Sequence, residues 1–350
     1  MNALNLLQSL SPPVIQGPMA GGFCTPALIA AVSNAGGLGS LAGSLLAPAA
    51  LREQVAQIRV LTTRPFLLNF FVQQTPAPSE AEIAAASELL RPVWQPLGWQ
   101  ALPRPAQWCQ DFQAQFETLL ELAPTVASFT FGILDGAQVE RLHAAGIMVI
   151  GTVTTVAEAL AWQAVGADAV IASGMEAGGH RGTFIGRQED ATLAARQLWP
   201  LVAQAVDIPV IAAGAIMDGK DISAAISAGA VAVQMGTAFL VSDEAAVHPA
   251  YKQKLLAGNA RTRLTRAFSG RYARGIVNGF MGKMAGVEAQ VPAYPVQNAL
   301  TGSIRAAAAT ANDPEMMSLW AGAGVNRTRA MPAAQLMATL AAELAAVRTA

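Results

Sequence analysis

The chain has 350 residues, of which 53% are hydrophobic and only 13% are charged, and its formal net charge is −1. This composition excludes a disordered chain, a coiled coil and a surface of high net charge, since an average domain has roughly 25% charged residues. The balance of charges gives no reason to bind nucleic acid or an anionic membrane. The length fits two domains, or one large α/β barrel with additions.

Residues 1–51 contain no charged side chain, a stretch longer than a membrane span needs. We expect no spanning helix there, because glycines and prolines interrupt the stretch repeatedly. The start, MNALNLLQSL, lacks the basic residues and the cleavage site of a signal peptide. The two cysteines, Cys24 and Cys109, cannot form a disulfide framework or a CxxC zinc site. We therefore expect a cytoplasmic protein without a bound metal.

Eight short apolar runs recur along the chain, each followed by Gly, Ser, Thr or Asn and then by an Ala-rich helical stretch. The runs span residues 13–19, 37–43, 65–71, 126–132, 146–153, 167–174, 208–216 and 230–240. Continuous apolar runs without alternation are typical of parallel strands that are buried on both faces. Four of the helical stretches end at a glycine that can cap the helix, after which the next run starts at once. Such repeated units predict an α/β fold, a (β/α)8 or TIM barrel, rather than a doubly wound sheet.

Two segments are longer than the repeated strand–helix unit requires. Residues 73–123 hold helices and a loop rich in Pro and Trp, and residues 252–284 carry eight basic side chains and no acidic one. A charge run of this kind is usually a solvated face, and a phosphate or acyl-carrier contact is the alternative.

The predicted domain organisation is one barrel with an inserted cap. Residues 332–347 have the pattern of an amphipathic Ala/Leu helix, which we expect to pack on the barrel at the C-terminal end of the chain. No low-complexity linker separates folding units. We predict a TIM-barrel domain of residues 1–257 and 311–350, and a substrate-side cap of residues 258–310.

The active site of such a barrel lies at the C-terminal ends of its strands. This rule selects Met19, Asn69, Gly132, Thr152, Ser173, Gly214 and residues 234–237. After the sixth run, the sequence SGMEAGGHRGTF places His180 in a Gly-rich turn, where an imidazole suits general-base chemistry near neutral pH. The other two histidines, His143 and His248, have the positions of surface or capping residues.

Small residues end the seventh and eighth runs, at Gly214 and Gly236, where barrels of this class bind phosphate. Either glycine alone can be only a turn, but both loops together with the Gly-Gly-His turn predict a phosphate-bearing cofactor. The sequence GLGSLA at residues 37–42 matches the dinucleotide pattern GxGxxG/A. Because it follows a helix and lies within a strand, we reject it as a nucleotide site. No cluster has metal-ligand spacing, and a cysteine nucleophile has little support.

Four motifs together resemble the flavin-dependent nitronate monooxygenases, formerly called 2-nitropropane dioxygenases, and most closely the bacterial class I group. They are QGPMAGGFCTP at 16–26, NFF at 69–71, SFTFG at 128–132 and EAGGHRG at 176–182. The resemblance extends to the WAGAG segment at 320–324. EAGGH alone is less specific, because flavin enoyl-acyl-carrier-protein reductases carry a similar phrase.

The resemblance implies a TIM barrel that holds FMN non-covalently, with His180 as the catalytic histidine. Tyr294 falls where relatives place an aromatic residue over the substrate, and Asn298 stands where a second tyrosine is expected. Ser173 replaces a glutamine that is expected in many relatives. The residues that would contact FMN are Met19, Asn69, Ser173, Gly178, Gly179, Gly214, Gln234, Met235, Gly236 and Thr237.

The implied reaction is the oxidation of an alkyl nitronate, such as propionate 3-nitronate, by O2 to an oxo compound and nitrite. His180, protonated or as a hydrogen-bond donor, would position the nitro oxygens, or it would remove the α proton of a neutral nitroalkane. Two alternatives stay open: an FMN- and NAD(P)H-dependent enoyl-acyl-carrier-protein reductase, and a non-catalytic flavin-binding protein. The expected partners are small molecules, with neither nucleic acid nor membrane, and a homodimer is left open.

Overall fold

Eight parallel strands form the centre of the computed structural model, which describes residues 3–349. The strands in these residues are β1 (Val14–Gln16), β2 (Gly39–Ala42), β3 (Phe66–Phe71), β4 (Val126–Thr130), β5 (Met148–Val153), β6 (Ala169–Ser173), β7 (Gly179–His180), β8 (Val210–Ala213), β9 (Ala232–Met235), β10 (Thr262–Thr265) and β11 (Ala273–Ile276). The parallel sheet has the order β1-β9-β8-β6-β5-β4-β3-β2. Two backbone hydrogen bonds of 3.0 Å join β1 to Leu38, which lies just before β2. They bring the two edge strands of the sheet together and close the barrel. Each predicted run contains one of these strands, so the (β/α)8 prediction is confirmed.

Helices surround the barrel and alternate with its strands. They are α1 (Ala3–Ser9), α2 (Pro26–Asn34), α3 (Pro48–Leu61), α4 (Glu80–Leu89), α5 (Arg91–Trp94), α6 (Phe112–Leu122), α7 (Gly136–Ala144), α8 (Val156–Ala164), α9 (Ala195–Ala205), α10 (Gly219–Ser227), α11 (Pro249–Leu256), α12 (Gly279–Met284), α13 (Val296–Leu300), α14 (Gly302–Thr310) and α15 (Ala333–Thr349). Thr25, Asp135, Thr155 and Asp218 cap the first turns of α2, α7, α8 and α10 through side-chain oxygens. As predicted, α15 packs on the barrel, against α2 and α10. Within residues 3–349, no helix has the length and apolar character that crossing a bilayer requires.

Helix α2 lies directly on strand β2, and the close approach depends on a glycine. A Cβ atom at Gly39 would collide with the backbone of Ile29. Gly39 belongs to the GLGSLA sequence that matches a dinucleotide pattern. Its place inside β2, against a helix, agrees with the rejection of that sequence as a nucleotide site.

Three groups of buried side chains stabilise the fold. The largest lies between the strands and the outer helices, and the second fills the barrel interior, where Leu6 and Leu7 of α1 close the N-terminal end. The third lies apart and joins Trp94 of α5 to Phe268 and Phe280, which stack with ring centroids 4.0 Å apart. The sequence analysis predicted a cap of residues 258–310. We propose that residues 80–97 belong to this cap as well.

A small antiparallel sheet, in the order β10-β11-β7, connects the cap to the loop after β6. The sequence analysis did not predict this sheet. Its strand β11 contains Arg274, which is buried, and Arg271 lies just before it and is partly buried. The interpretation of residues 252–284 as a solvated face is therefore wrong for these two arginines, because both donate hydrogen bonds to backbone carbonyls instead.

We expect Gly39→Ala to lower the free energy of unfolding by about 1–3 kcal/mol, since the new methyl group meets backbone atoms that cannot rotate away. Gly136→Ala is the matched control, because nothing lies within 4 Å of a Cβ there and alanine favours a helix. Urea unfolding of both variants measures the difference. Equal midpoints for Gly39→Ala and the wild type would contradict the close packing of α2 on β2.

Candidate active site

A cavity of about 490 Å³ lies at the C-terminal ends of the barrel strands, between the barrel and the cap. This volume is typical of a site for a cofactor or a small substrate. Of the residues that the sequence analysis selected, Thr152 and all those assigned to catalysis, cofactor or substrate line this cavity, whereas Gly132, which the strand-end rule also selected, does not. The assigned residues are Met19, Asn69, Ser173, Gly178, Gly179, His180, Gly214, Gln234, Met235, Gly236, Thr237 and Tyr294. The structure therefore brings them together in one wall, while their individual roles stay predictions.

His180 lies in strand β7 rather than in the turn that its glycine-rich sequence predicts. β7 pairs with β11, and His180 is opposite Ala273. Four aromatic rings surround the imidazole, with ring centroids 5.3–6.4 Å away; they belong to Phe71, Phe131, Tyr294 and Trp320. The Nε2 atom of His180 is buried and has no hydrogen-bond partner in the described part of the chain.

This environment keeps the His180 ring neutral. Burial, and to a smaller extent the positive charges of Arg271 and Arg305, lower the pKa of His180 from 6.5 to about 3. A neutral imidazole has one N–H donor and one acceptor nitrogen. The hypothesis of a protonated His180 at neutral pH therefore has no support in the structure, whereas that of a single hydrogen-bond donor does.

Phe131 builds one wall of the histidine enclosure from an uncommon backbone conformation. Its φ is +79°, in the left-handed region that bulky residues rarely adopt. The ring stacks on Phe71 at 4.0 Å between centroids, and the guanidinium carbon of Arg271 lies 4.2 Å from its centre. Such strain persists where the surroundings hold a residue in place, as at many functional sites. The SFTFG motif contains Phe131, but no local signal identified it as a wall of the site.

Three arginines hold the loop that carries His180. Arg181 donates to two carbonyls at the end of β6 (2.9 and 2.6 Å), Arg271 donates to the carbonyl of Arg181 (2.8 Å), and Arg274 to that of Met175 (2.9 Å). Burial lowers the pKa of Arg181 and of Arg271 to about 10, so both guanidinium groups stay charged at neutral pH. The loop is thus fixed by hydrogen bonds that also place positive charge near the cavity.

The residues predicted to bind the cofactor provide polar atoms and open space. Asn69 Nδ2 donates to Ser128 Oγ (2.9 Å), which orients its amide at the end of β3. Gln234 Oε1 is buried without a hydrogen-bond partner in the described residues, so it can accept a hydrogen bond from a ligand. A Cβ at Gly236 would have only the Met19 side chain within 4 Å, at 3.9 Å. Gly178 has a packing role as well, because a Cβ there would lie 2.5 Å from Gly322 N.

The remaining candidate residues have other environments. His143 contacts the Asp168 carboxylate (2.9 Å) at the surface, and His248 caps α11 by accepting from Ala250 N (3.2 Å), as expected, although His248 also lines the cavity. Burial raises the pKa of the Cys24 thiol to about 11, which disfavours a nucleophilic thiolate. Among residues 3–349, no group of three or more His, Cys, Asp or Glu side chains is arranged to hold a metal ion.

A histidine in an aromatic cavity at the C-terminal mouth of a (β/α)8 barrel defines a barrel enzyme, and comparison with known proteins gives its family. The family model for nitronate monooxygenase matches residues 3–343. A probable nitronate monooxygenase of Bacillus subtilis (strain 168) is 41% identical over 327 residues, 93% of each chain. One of Staphylococcus aureus (strain Newman) is 37% identical over 341 residues, 97% of this chain and 96% of the relative.

Solved structures agree with this result. A nitroalkane oxidase from Streptomyces ansochromogenes has a TM-score of 0.90 and 42% identity, and the match covers 98% of this chain and 99% of that one. FabK from Thermotoga maritima is more distant, with a TM-score of 0.77 and 29% identity over 100% and 97% of the two chains. The chain belongs to the nitronate monooxygenase family and is an oxidoreductase, so the resemblance seen in its motifs is confirmed.

The depressed pKa predicts that His180 takes up no proton between pH 7 and pH 5. In the unfolded chain the imidazole titrates near its ordinary pKa of 6.5, so acidification through this range favours unfolding over the neutral folded state. Nitrogen-15 NMR of the histidine rings, with His180→Asn to assign the signal, measures the protonation state directly. A His180 signal that titrates near pH 6.5 would show that the ring is not held neutral.

Proposed function

We propose that this protein catalyses the FMN-dependent oxidation of alkyl nitronates, such as propionate 3-nitronate, by O2 to an oxo compound and nitrite. The observation that carries the proposal is the neutral His180, whose unpaired Nε2 lies in an aromatic enclosure beside fixed positive charges. No Asp or Glu lines the cavity in the described part of the chain, so an anionic substrate meets no charge repulsion there.

The cavity residues fit FMN as the cofactor. The backbone at Gly214 and Gly236 would hold its phosphate, in the loops that bind phosphate in barrels of this class. Asn69 and the unpaired Gln234 Oε1 would hydrogen-bond the polar edge of the ring system, and Met19 would pack against it. When bound, FMN supplies the redox chemistry that accepts electrons from the substrate and lets O2 react.

The protein's own residues bind and orient the substrate. His180 can donate one hydrogen bond to a nitro oxygen, and the aromatic walls exclude water, which strengthens that bond and the attraction of the nitronate group to Arg271, whose charge, with that of Arg305, also keeps the ring neutral. Removing the α proton of a neutral nitroalkane would instead require His180 to become an imidazolium beside these cations. Its pKa of about 3 makes the ring a weak base, which favours the preformed nitronate as substrate.

Two substitutions of His180 separate the two roles. We expect His180→Asn, which retains an N–H donor, to keep kcat/KM for a nitronate within about 10-fold, and His180→Leu to lower it by about 100-fold or more. We also expect the wild type to prefer a nitronate strongly over its parent nitroalkane. Steady-state oxygen consumption with both forms measures these values. Equal losses in the two variants, confined to the nitroalkane, would instead identify His180 as a base.

The enoyl-reductase alternative has weaker structural support. The enoyl reductase domain of MlnA from Bacillus amyloliquefaciens shares the fold at 11% identity and a TM-score of 0.63. In the basic segment, Arg271 and Arg274 donate to backbone carbonyls, and Lys254 and Arg263 form ion pairs with Glu315 and Glu288. Few of these charges are thus free to bind an acyl carrier.

Anaerobic mixing of the purified protein with propionate 3-nitronate is the direct test of the proposed activity. We expect a rapid change in the visible flavin spectrum, with nitrite released when air is admitted. The matched experiment replaces the nitronate with NADPH, which we expect to leave the spectrum unchanged. Bleaching by NADPH with no response to the nitronate would favour the reductase, and absence of flavin after reconstitution would refute both activities.

The proposal also includes the setting of the enzyme. We propose that it acts in the cytoplasm on small molecules and O2, with no nucleic acid or membrane as partner. A sedimentation experiment decides between a monomer and a homodimer.

A further inference from the structure

One face of helix α14, together with Asn298 of α13, forms the cap side of the cavity. Gly302, Arg305, Ala306 and Ala309 line it at spacings of three, one and three residues, which is the repeat of a single helical face. Arg305 is the only Asp, Glu, Lys or Arg among the lining residues in the described chain. A single cation on an otherwise uncharged wall indicates a site for one negative charge.

The guanidinium of Arg305 has donors that the protein does not use. Its Nη2 donates to the carbonyl oxygen and to Oδ1 of Asn298 (2.7 and 3.2 Å). Its Nε is buried with no partner, and within residues 3–349 its Nη1 donates to no protein group and no carboxylate pairs with it. Arg181, Arg271 and Arg274, in contrast, donate to backbone carbonyls of the loop after β6 and neighbouring segments.

Removing a cation from water without a counterion is unfavourable in free energy. The two hydrogen bonds to Asn298 offset only part of this unfavourable free energy for Arg305. Burial lowers the pKa of Arg305 to about 10, and Tyr294 opposes this shift. The guanidinium therefore stays charged at neutral pH without a protein anion beside it. An anionic ligand would remove the unfavourable free energy, because it would accept the free N–H groups and neutralise the charge.

The position of Arg305 indicates which part of a ligand it contacts. Its charge helps to lower the pKa of His180 and opposes the rise that burial causes in the pKa of Tyr294, so it acts on the same chamber as the histidine. The loops at Gly214 and Gly236, which fit the cofactor phosphate, belong to the barrel, whereas Arg305 belongs to the cap. A planar group with two acceptor oxygens matches the fork of an arginine.

We propose that Arg305, oriented by Asn298, binds a carboxylate of the substrate at the end remote from the nitronate group. The enzyme would thereby select nitronates that carry a second anionic group over simple alkyl nitronates. This inference rests on the proposed function and adds a specificity-determining residue to it. Asn298, which stands where a second tyrosine is expected, takes the role of an anchor for the guanidinium.

The test compares propionate 3-nitronate with propyl-1-nitronate, which has the same three carbons and no carboxylate. We expect Arg305→Met to lower kcat/KM for the carboxylated substrate by about 30- to 100-fold and for propyl-1-nitronate by less than about 3-fold. Arg305→Lys retains the charge and should lose about 5-fold. Asn298→Ala should show a smaller loss, again only with the carboxylated substrate. Lys283→Met, which removes an exposed charge from the cap, is the control and should change neither value.

Ligand binding gives a second readout that needs no turnover. Succinate has the length of propionate 3-nitronate and a carboxylate in place of the nitronate group, whereas butyrate carries only one carboxylate. Calorimetry should show that the wild type binds succinate more tightly than butyrate, and that Arg305→Met removes this difference. The bound flavin content and the urea midpoint of the variant should equal those of the wild type.

Three results would overturn the inference. Equal losses with both nitronates would place Arg305 at the reacting group, loss of bound FMN would make it a cofactor ligand, and unchanged kinetics with unchanged succinate affinity would leave it without a role in selection. Failure of the proposed function is distinguishable, because the wild type would then oxidise neither nitronate while the dependence of succinate binding on Arg305 could still be measured.

Discussion

The chemistry of this site depends on one electrostatic constraint: an imidazole is held neutral inside an aromatic enclosure beside fixed positive charges. The enclosure is assembled from β3, the segment after β4, the cap and the chain that returns to the barrel, which contribute Phe71, Phe131, Tyr294 and Trp320. No single element provides it, so barrel and cap must both be in place before His180 has its depressed pKa. In the proposed function, the histidine then serves as a hydrogen-bond donor rather than as a base.

The positive potential of the cavity has a structural origin. Arg181, Arg271 and Arg274 satisfy their N–H groups on backbone carbonyls, which offsets part of the cost of burying charge and fixes the loop after β6. Carbonyl oxygens bear no net charge, so the cations are hydrogen-bonded without being fully neutralised. Arg305 is the exception, because most of its donors stay free. No acidic group of residues 3–349 lies in the cavity wall, so this arrangement suits the anionic substrate that we propose.

In the proposed function, the barrel binds the cofactor and the cap binds the substrate. The barrel provides strand ends and glycine-containing loops whose polar atoms fit a phosphate-bearing cofactor, while the cap provides Tyr294 and the face of α14 that bears Arg305. The cap has its own hydrophobic core, formed by side chains from two distant segments of the chain. Because that core is separate from the barrel's, we expect substitutions on the α14 face to change substrate selection without disturbing the strands that would hold the cofactor.

The sequence by itself determined the barrel and the location of its site. Eight apolar runs and four capping glycines are local patterns, and the rule for strand ends then identified residues from Met19 to Thr237, all of which except Gly132 line one cavity. Only the tertiary structure decided the charge state of His180, the left-handed backbone of Phe131 and the burial of Arg274. A run of basic residues does not show which side chains will meet carbonyls far along the chain. Contacts between residues distant in sequence, and the loss of water around them, set these properties, and both arise only when barrel and cap pack together.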